Sequence, residues 1–208
     1  MSATHHIPGI PFPLTASEDS TWTVDPSEKS VKVNAAPRSD IFVDPGSDGQ
    51  VGAETLLNAA TLLADLPDGD FQFSARVSVD FLAMFDAGVL LLWMDERHWA
   101  KLCFEYSPEG EPMVVSVVTR EVSDDANSFT VHGGSIWLRV SRTDGVYAYH
   151  ASNDAQTWRL VRIFVLDAPG STAQIGFEAQ SPTGDGCAVT FSQPNFSTQR
   201  LAHFRDGR

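Results

Sequence analysis

The sequence predicts an all-β protein, a two-sheet antiparallel β-sandwich, and three observations predict it. From Phe71 onward apolar and polar residues alternate with period two. Turn chemistry recurs every ten to fifteen residues, and almost no helical periodicity is interleaved. No internal repeat is present to suggest a propeller.

The elements follow in chain order. Ile7–Leu14 is rich in proline and suits an extended arm or an edge strand rather than a helix, and residues 1–14 are read as an extended arm on one sandwich domain covering 1–208. His5 and His6 fall in this arm, which is expected to be disordered. Trp22–Val24 and Val31–Val33 alternate around Asp25-Pro-Ser-Glu28 and predict a hairpin. Ser39–Val43 predicts a short strand. Gly52–Ala64 admits a helix, because Leu56, Leu57, Ala60 and Leu63 recur at helical spacing, or two strands over a loop. Phe71–Phe81 alternates for eleven residues and predicts a half-buried strand. Gly88–Met94 is apolar on both faces and belongs at a sheet centre. Trp99–Tyr106 and Met113–Arg120 follow around the Ser107–Gly110 turn. Further strands are expected at Ile136–Arg142, Val146–Ser152, Trp158–Leu166, Ala173–Gln180 and Cys187–Phe196.

Composition narrows the function. Lys plus Arg number 14 against 27 Asp plus Glu, a formal charge of −13. A chain this acidic is repelled by phosphate backbones and anionic lipid, so neither nucleic acid nor a membrane is expected as partner. Cys103 and Cys187 are too few for a disulfide framework. With no secretory signal pattern at the N-terminus, a reducing, cytoplasmic setting is expected. His98, His132, His150 and His203 show no metal-ligand spacing, and no metal or cofactor is expected. The acidic segments Asp44–Asp48 and Ser123–Asp125 lack the EF-hand spacing and read as solvated loops rather than calcium sites. In Ser152-Asn-Asp154 with Trp158, the Asp is expected to cap a turn over the Trp.

One block carries a family resemblance. Asp86-Ala-Gly-Val-Leu-Leu-Leu-Trp93, Trp99-Ala-Lys-Leu-Cys-Phe-Glu-Tyr106, Val114-Val-Ser-Val-Val-Thr-Arg120 and Ser123-Asp124 follow one another in order. Trp137-Leu-Arg139, Ser152 with Asp154 and Trp158, and Ser181-Pro182 extend the pattern. This series resembles the DUF1349 (regulation of enolase protein-like) family, well from Asp70 to Phe191 and loosely before it. The resemblance implies a concanavalin A-like lectin/glucanase jelly roll, a fold that hosts lectins, hydrolases and interaction domains alike. Where the family commonly carries an aromatic after Ser-Asp, this chain carries Asp125, so no stacking ring is expected there.

Alternation also groups the polar candidates by face. Lys101 with Glu105, Ser116 with Arg120, Trp137 with Arg139, Tyr147 with Tyr149, and Gln174, Glu178 and Gln180 are each same-face sets. If these strands share one sheet, Lys101, Glu105, Arg120, Trp137, Arg139, Tyr147, Tyr149 and Glu178 line a polar concave face. Rings that stack on sugar C–H faces, beside carboxylates and guanidinium groups that take hydroxyls, suit carbohydrate. The reading favoured from sequence is a non-catalytic carbohydrate-recognition module. The alternatives are a glycoside hydrolase using Glu105 and Glu178 as its carboxyl pair, and a regulatory domain that binds a protein partner. The ordinary structural account of the same residues is cross-strand ion pairing of Lys101 with Glu105 or Glu178.

Overall fold

The computed structural model describes residues 2–46, 54–168 and 170–208. Two large antiparallel sheets form a sandwich. The eight-stranded sheet runs in the order β1 (Thr4–His5), β2 (Leu14–Ala16), β7 (Ala60–Asp65), β16 (Gln174–Gln180), β9 (Ala87–Asp95), β10 (His98–Tyr106), β11 (Pro112–Arg120), β12 (Val122–Thr130). The seven-stranded sheet runs β15 (Arg159–Phe164), β14 (Val146–Ser152), β13 (Ser135–Thr143), β8 (Phe71–Val79), β17 (Ala188–Ser197), β4 (Ser30–Asn34), β3 (Trp22–Asp25). Two short strands, β5 (Ile41–Phe42) and β6 (Leu56–Leu57), pair separately.

The period-two pattern explains the main core. Phe71, Phe73, Ala75, Val77 and Val79 of β8 are all buried and meet Leu90, Leu92, Leu102, Phe104 and Phe177 of the facing sheet. Aromatic pairs bridge the layers, with Phe73 at 5.2 Å from Phe177 and Phe177 at 4.6 Å from Phe191. The run Gly88–Met94 is apolar on both faces for a reason visible here. The outward side chains Ala87, Val89 and Leu91 enter a second apolar cluster, capped by Ile41 and Val43.

Several expectations change on the page of the structure. Gly52–Ala64 is not helical where described: Leu56–Leu57 and Ala60–Asp65 are strands, and residues 52–53 lie outside the described residues. Pairing of Ala60–Asp65 between β2 and β16, with Leu62 buried in the core, overrides the helical spacing of Leu56, Leu57, Ala60 and Leu63. Ser123–Asp125 is not a loop but part of β12, whose polar sequence suits the last strand of a sheet. The other acidic segment, Asp44–Asp48, extends beyond the described residues at Ser47 and Asp48. The N-terminal arm is ordered into the sheet, since Thr4 pairs with Thr15 and His5 with Leu14. Among the described residues no helix is long and apolar enough to cross a membrane.

Strand β16 sits tightly on β7. A methyl group at Gly176 would lie 2.0 Å from the backbone oxygen of Leu62, whereas nothing lies within 4 Å of one at Gly134. Gly176→Ala should therefore lower the unfolding free energy by about 1–3 kcal/mol in a urea titration. Gly134→Ala, the open control, should leave the midpoint unchanged.

Candidate functional site

The sequence-level grouping placed eight side chains on one face, and the topology divides them among four environments. Strands β13 and β14 lie in the opposite sheet from β10 and β16, so alternation paired residues by face within each strand but gave neither the sheet nor, for Tyr147 and Tyr149, the side turned to the core. Tyr147 and Tyr149 point inward, packed on Phe164 at 5.6 and 4.8 Å. Trp137 and Arg139 lie on the outer face of the seven-stranded sheet. There Arg139 stacks on Trp158 at 4.1 Å and donates from Nη2 to the Gly207 carbonyl oxygen at 2.6 Å. Arg120 is exposed at the end of β11 and donates to the Val165 carbonyl oxygen. Asp154 caps its turn by accepting from the Gln156 and Thr157 amides, and those bonds hold its carboxyl at about 2.

Lys101, Glu105 and Glu178 do come together, on the outer face of the eight-stranded sheet. Register builds the arrangement. Lys101 stands beside Leu91 and Val117, with Asp125 beyond Val117. Val89 separates Cys103 from Glu178, and Ala87 separates Glu105 from Gln180. Long polar side chains thus rise from a floor of small and branched apolar ones.

A strap closes over that floor. Ser39 and Ser181 exchange backbone hydrogen bonds at one end, with N–O distances of 3.3 and 3.1 Å. At the other end the Val43 amide donates to Ser123 Oγ and the Ser123 amide donates to the Val43 carbonyl oxygen. Between these anchors Asp40 is carried onto Lys101. The ammonium Nζ donates to Asp40 Oδ1 at 2.8 Å and Gln180 Oε1 at 2.7 Å, and lies 3.8 Å from Glu178 Oε1. The Gln180 amide is oriented for this by donating from Nε2 to the Phe85 carbonyl oxygen.

Burial dominates the electrostatics. Lys101 is 2% exposed and Glu178 0%. Burial alone would depress the Lys101 ammonium, but the Asp40 and Glu178 carboxylates outweigh it and raise it above the ordinary lysine range. Burial pushes Glu178 up to about 8 against the pull of Lys101, and Glu105 likewise to about 8. Neither oxygen of Glu178 has a hydrogen-bond partner among the described residues. Lys101 pairs with Asp40 and Glu178, not with Glu105.

Asp40 is the member that sequence reading missed. It lies 61 positions from its partner, and a strand pattern at Ser39–Val43 carries no signal of what that strand crosses. Asp86, the first residue of the family-like block, is structural: it accepts from the Leu82 and Ala83 amides and from Ser181 Oγ, tying the β8–β9 turn to the strap's anchor.

The raised Glu105 has a pH consequence. Between its unfolded value near 4.5 and its folded value of about 8, the unfolded chain releases a proton that the folded chain keeps. Stability contributed by the protonated group is complete below the lower value and is lost as pH rises through that window. Glu105→Gln removes this loss. In thermal melts the variant should gain on the parent by on the order of 10 °C between pH 5 and pH 8; a gap constant with pH would contradict the buried-carboxyl account.

Comparison with known proteins adds a family and a fold. Regulation of enolase protein 1 of Saccharomyces cerevisiae is 34% identical over 129 residues, 59% of this chain; the chain spans 62% of that relative's length. A crystal structure of a functionally unknown S. cerevisiae protein superposes with a TM-score of 0.72 at 24% identity, over 86% of this chain and 96% of that one. The GH43 protein BlXynB of Bacillus licheniformis matches with a TM-score of 0.69 at 11% identity, over 90% of this chain and 36% of that one. Bacteroides ovatus xyloglucan PUL GH43B matches with a TM-score of 0.64 at 14% identity, over 87% and 37%. These likenesses establish the β-sandwich. A family profile described as "Protein of unknown function (DUF1349)" matches residues 16–199, and the chain belongs to that family.

Proposed function

We propose that this protein is a non-catalytic carbohydrate-recognition module that binds sugar hydroxyls at the outer face of its eight-stranded sheet. The observation that carries the reading is the open edge of the polar group on that face: Glu105 rises from the apolar floor beside the buried Lys101, on the side of the sheet turned away from the core. Glu105 is 9% exposed and keeps a path to solvent, and exposed Asp125 stands on the same face. Carboxyls at the rim of such a group accept hydrogen bonds from vicinal hydroxyls. Matched parts of two GH43 proteins support the reading, because there a sandwich of this shape accounts for 36% and 37% of a longer chain named for glycoside hydrolysis.

A hydrolytic role for Glu105 and Glu178 fits the geometry less well. Their backbone positions are separated by β9 and by a two-residue step, about 11 Å in sheet geometry. A catalytic pair must also open on one substrate, and Glu178 is sealed beneath the strap. Both cysteines are unpaired and buried, which suits the cytoplasm as the working compartment.

A glycan array followed by calorimetry tests the proposal. The parent should bind at least one glycan class, and Glu105→Ala should weaken that binding about tenfold by removing a hydrogen-bonding partner of a sugar hydroxyl. Binding to no glycan would overturn the reading in favour of a protein partner, for which Leu82 and Met84, 76% and 44% exposed on the β8–β9 turn, offer a contact.

A further inference from the structure

A lysine and an aspartate in contact inside an apolar enclosure, with a carboxyl beside them that bonds to nothing else, meet the chemical requirements for amide formation between side chains. Lys101 Nζ is 2.8 Å from Asp40 Oδ1, one bond from the electrophilic Cγ, and 3.8 Å from Glu178 Oε1. The enclosure is built by Ile41, Val89, Trp99, Cys103 and Val115, all buried. We propose that Lys101 and Asp40 join spontaneously in an intramolecular isopeptide bond, Nζ to Cγ, with Glu178 carrying the protons.

Each part of the step has a group assigned to it. Lys101 gives up one ammonium proton, which passes by way of Glu178 to Asp40 Oδ2, leaving a neutral amine and a neutral carboxylic acid. The amine lone pair attacks Cγ and forms the C–N bond. Glu178 then takes a second proton from nitrogen and delivers one to the departing Oδ2 hydroxyl. The C–O bond breaks and one water leaves. Three hydrogens on the ammonium become one on the amide and two in the water, and Glu178 ends as it began. No oxidant or reductant enters.

The surroundings favour the forward direction. The Ile41 amide donates to Asp40 Oδ1 at 2.7 Å, so a backbone N–H already polarises the carbonyl under attack and would stabilise the oxygen as it gains charge. After reaction the new amide N–H keeps Gln180 Oε1 as its acceptor and the new carbonyl keeps the Ile41 amide as its donor. Preorganisation of this kind corresponds to effective concentrations on the order of 10⁵–10⁸ M. The enclosure also penalises the charged pair relative to the neutral amide. Glu178 Oε1 lies 3.8 Å from Nζ and its carboxyl has no competing hydrogen bond among the described residues, so a shift of about 1 Å brings it into proton-transfer distance. Burial shifts that carboxyl upward, toward the range in which it can both give and take a proton.

The bond would pin the strap Ser39–Val43 to β10 covalently. It is independent of the sugar reading, because its test uses no ligand and glycan binding at Glu105 does not require it.

Intact mass of the denatured full chain, with tandem mass spectrometry of its digest, is the test. The parent should be lighter than its sequence by one water and should yield a branched peptide joining the segments that hold Asp40 and Lys101, stable to reductant. Glu178→Gln and Lys101→Arg should each show full sequence mass. Asp40→Asn should lose one ammonia instead, since the leaving group is then an amide nitrogen. A parent of full sequence mass with both side chains free would overturn the proposal, as would a water deficit that survives in Lys101→Arg. The parent measurement alone decides the matter if a variant fails to fold.

Discussion

The buried ammonium of Lys101 is the constraint around which the outer half of this protein is arranged. A lysine at 2% exposure is tolerated only with acceptors on several sides, and the chain supplies them from two separate segments, Asp40 from the strap and Glu178 and Gln180 from β16. Losing one partner of such a group leaves an uncompensated charge, at a cost of about 3–5 kcal/mol. The strap is what brings Asp40 in. Its two anchors, Ser181 on one side of the sheet and Ser123 on the other, are buried serines. Charge, strap and anchors therefore stand or fall together.

That dependence explains why the eight-stranded sheet is apolar on both faces at its centre. In a sandwich with a wet outer face, Val89 and Leu91 would be exposed; here they pack under Ile41 and Val43. The polar group is thus set between two apolar layers, the sandwich core below and the strap above. A low-dielectric setting of this sort moves Glu105 and Glu178 far from ordinary carboxyl behaviour, and it concentrates whatever chemistry the protein has into one small volume.

Much of the fold was legible in the sequence because its signal is local. Phe71–Val79 announces its buried face by alternation, and Gly88–Met94 announces a central strand by lacking it. β12 was illegible for the complementary reason: Val-Ser-Asp-Asp-Ala-Asn-Ser-Phe-Thr has almost no apolar face, since the last strand of a sheet has little to bury. The site was half legible. Lys101, Glu105 and Glu178 could be placed on outward faces from parity alone, but parity does not say which sheet a strand joins. Arg139 and Trp137 were consequently grouped with residues on the far side of the molecule, and Tyr147 and Tyr149 with residues outside the core that they in fact fill. Asp40 needed the fold, because only the crossing of the strap brings it to Lys101.

The central claim is that the buried Lys101–Asp40 contact holds the strap on the sheet. Amide hydrogen exchange at Ser39 and Val43, compared between the parent and Lys101→Met, tests it most directly. Both amides are bonded within the anchors and should exchange slowly in the parent. The account predicts that Lys101→Met speeds both by at least about tenfold while amides of β8 keep their protection. Unchanged exchange at Ser39 and Val43 in a folded Lys101→Met protein would contradict it.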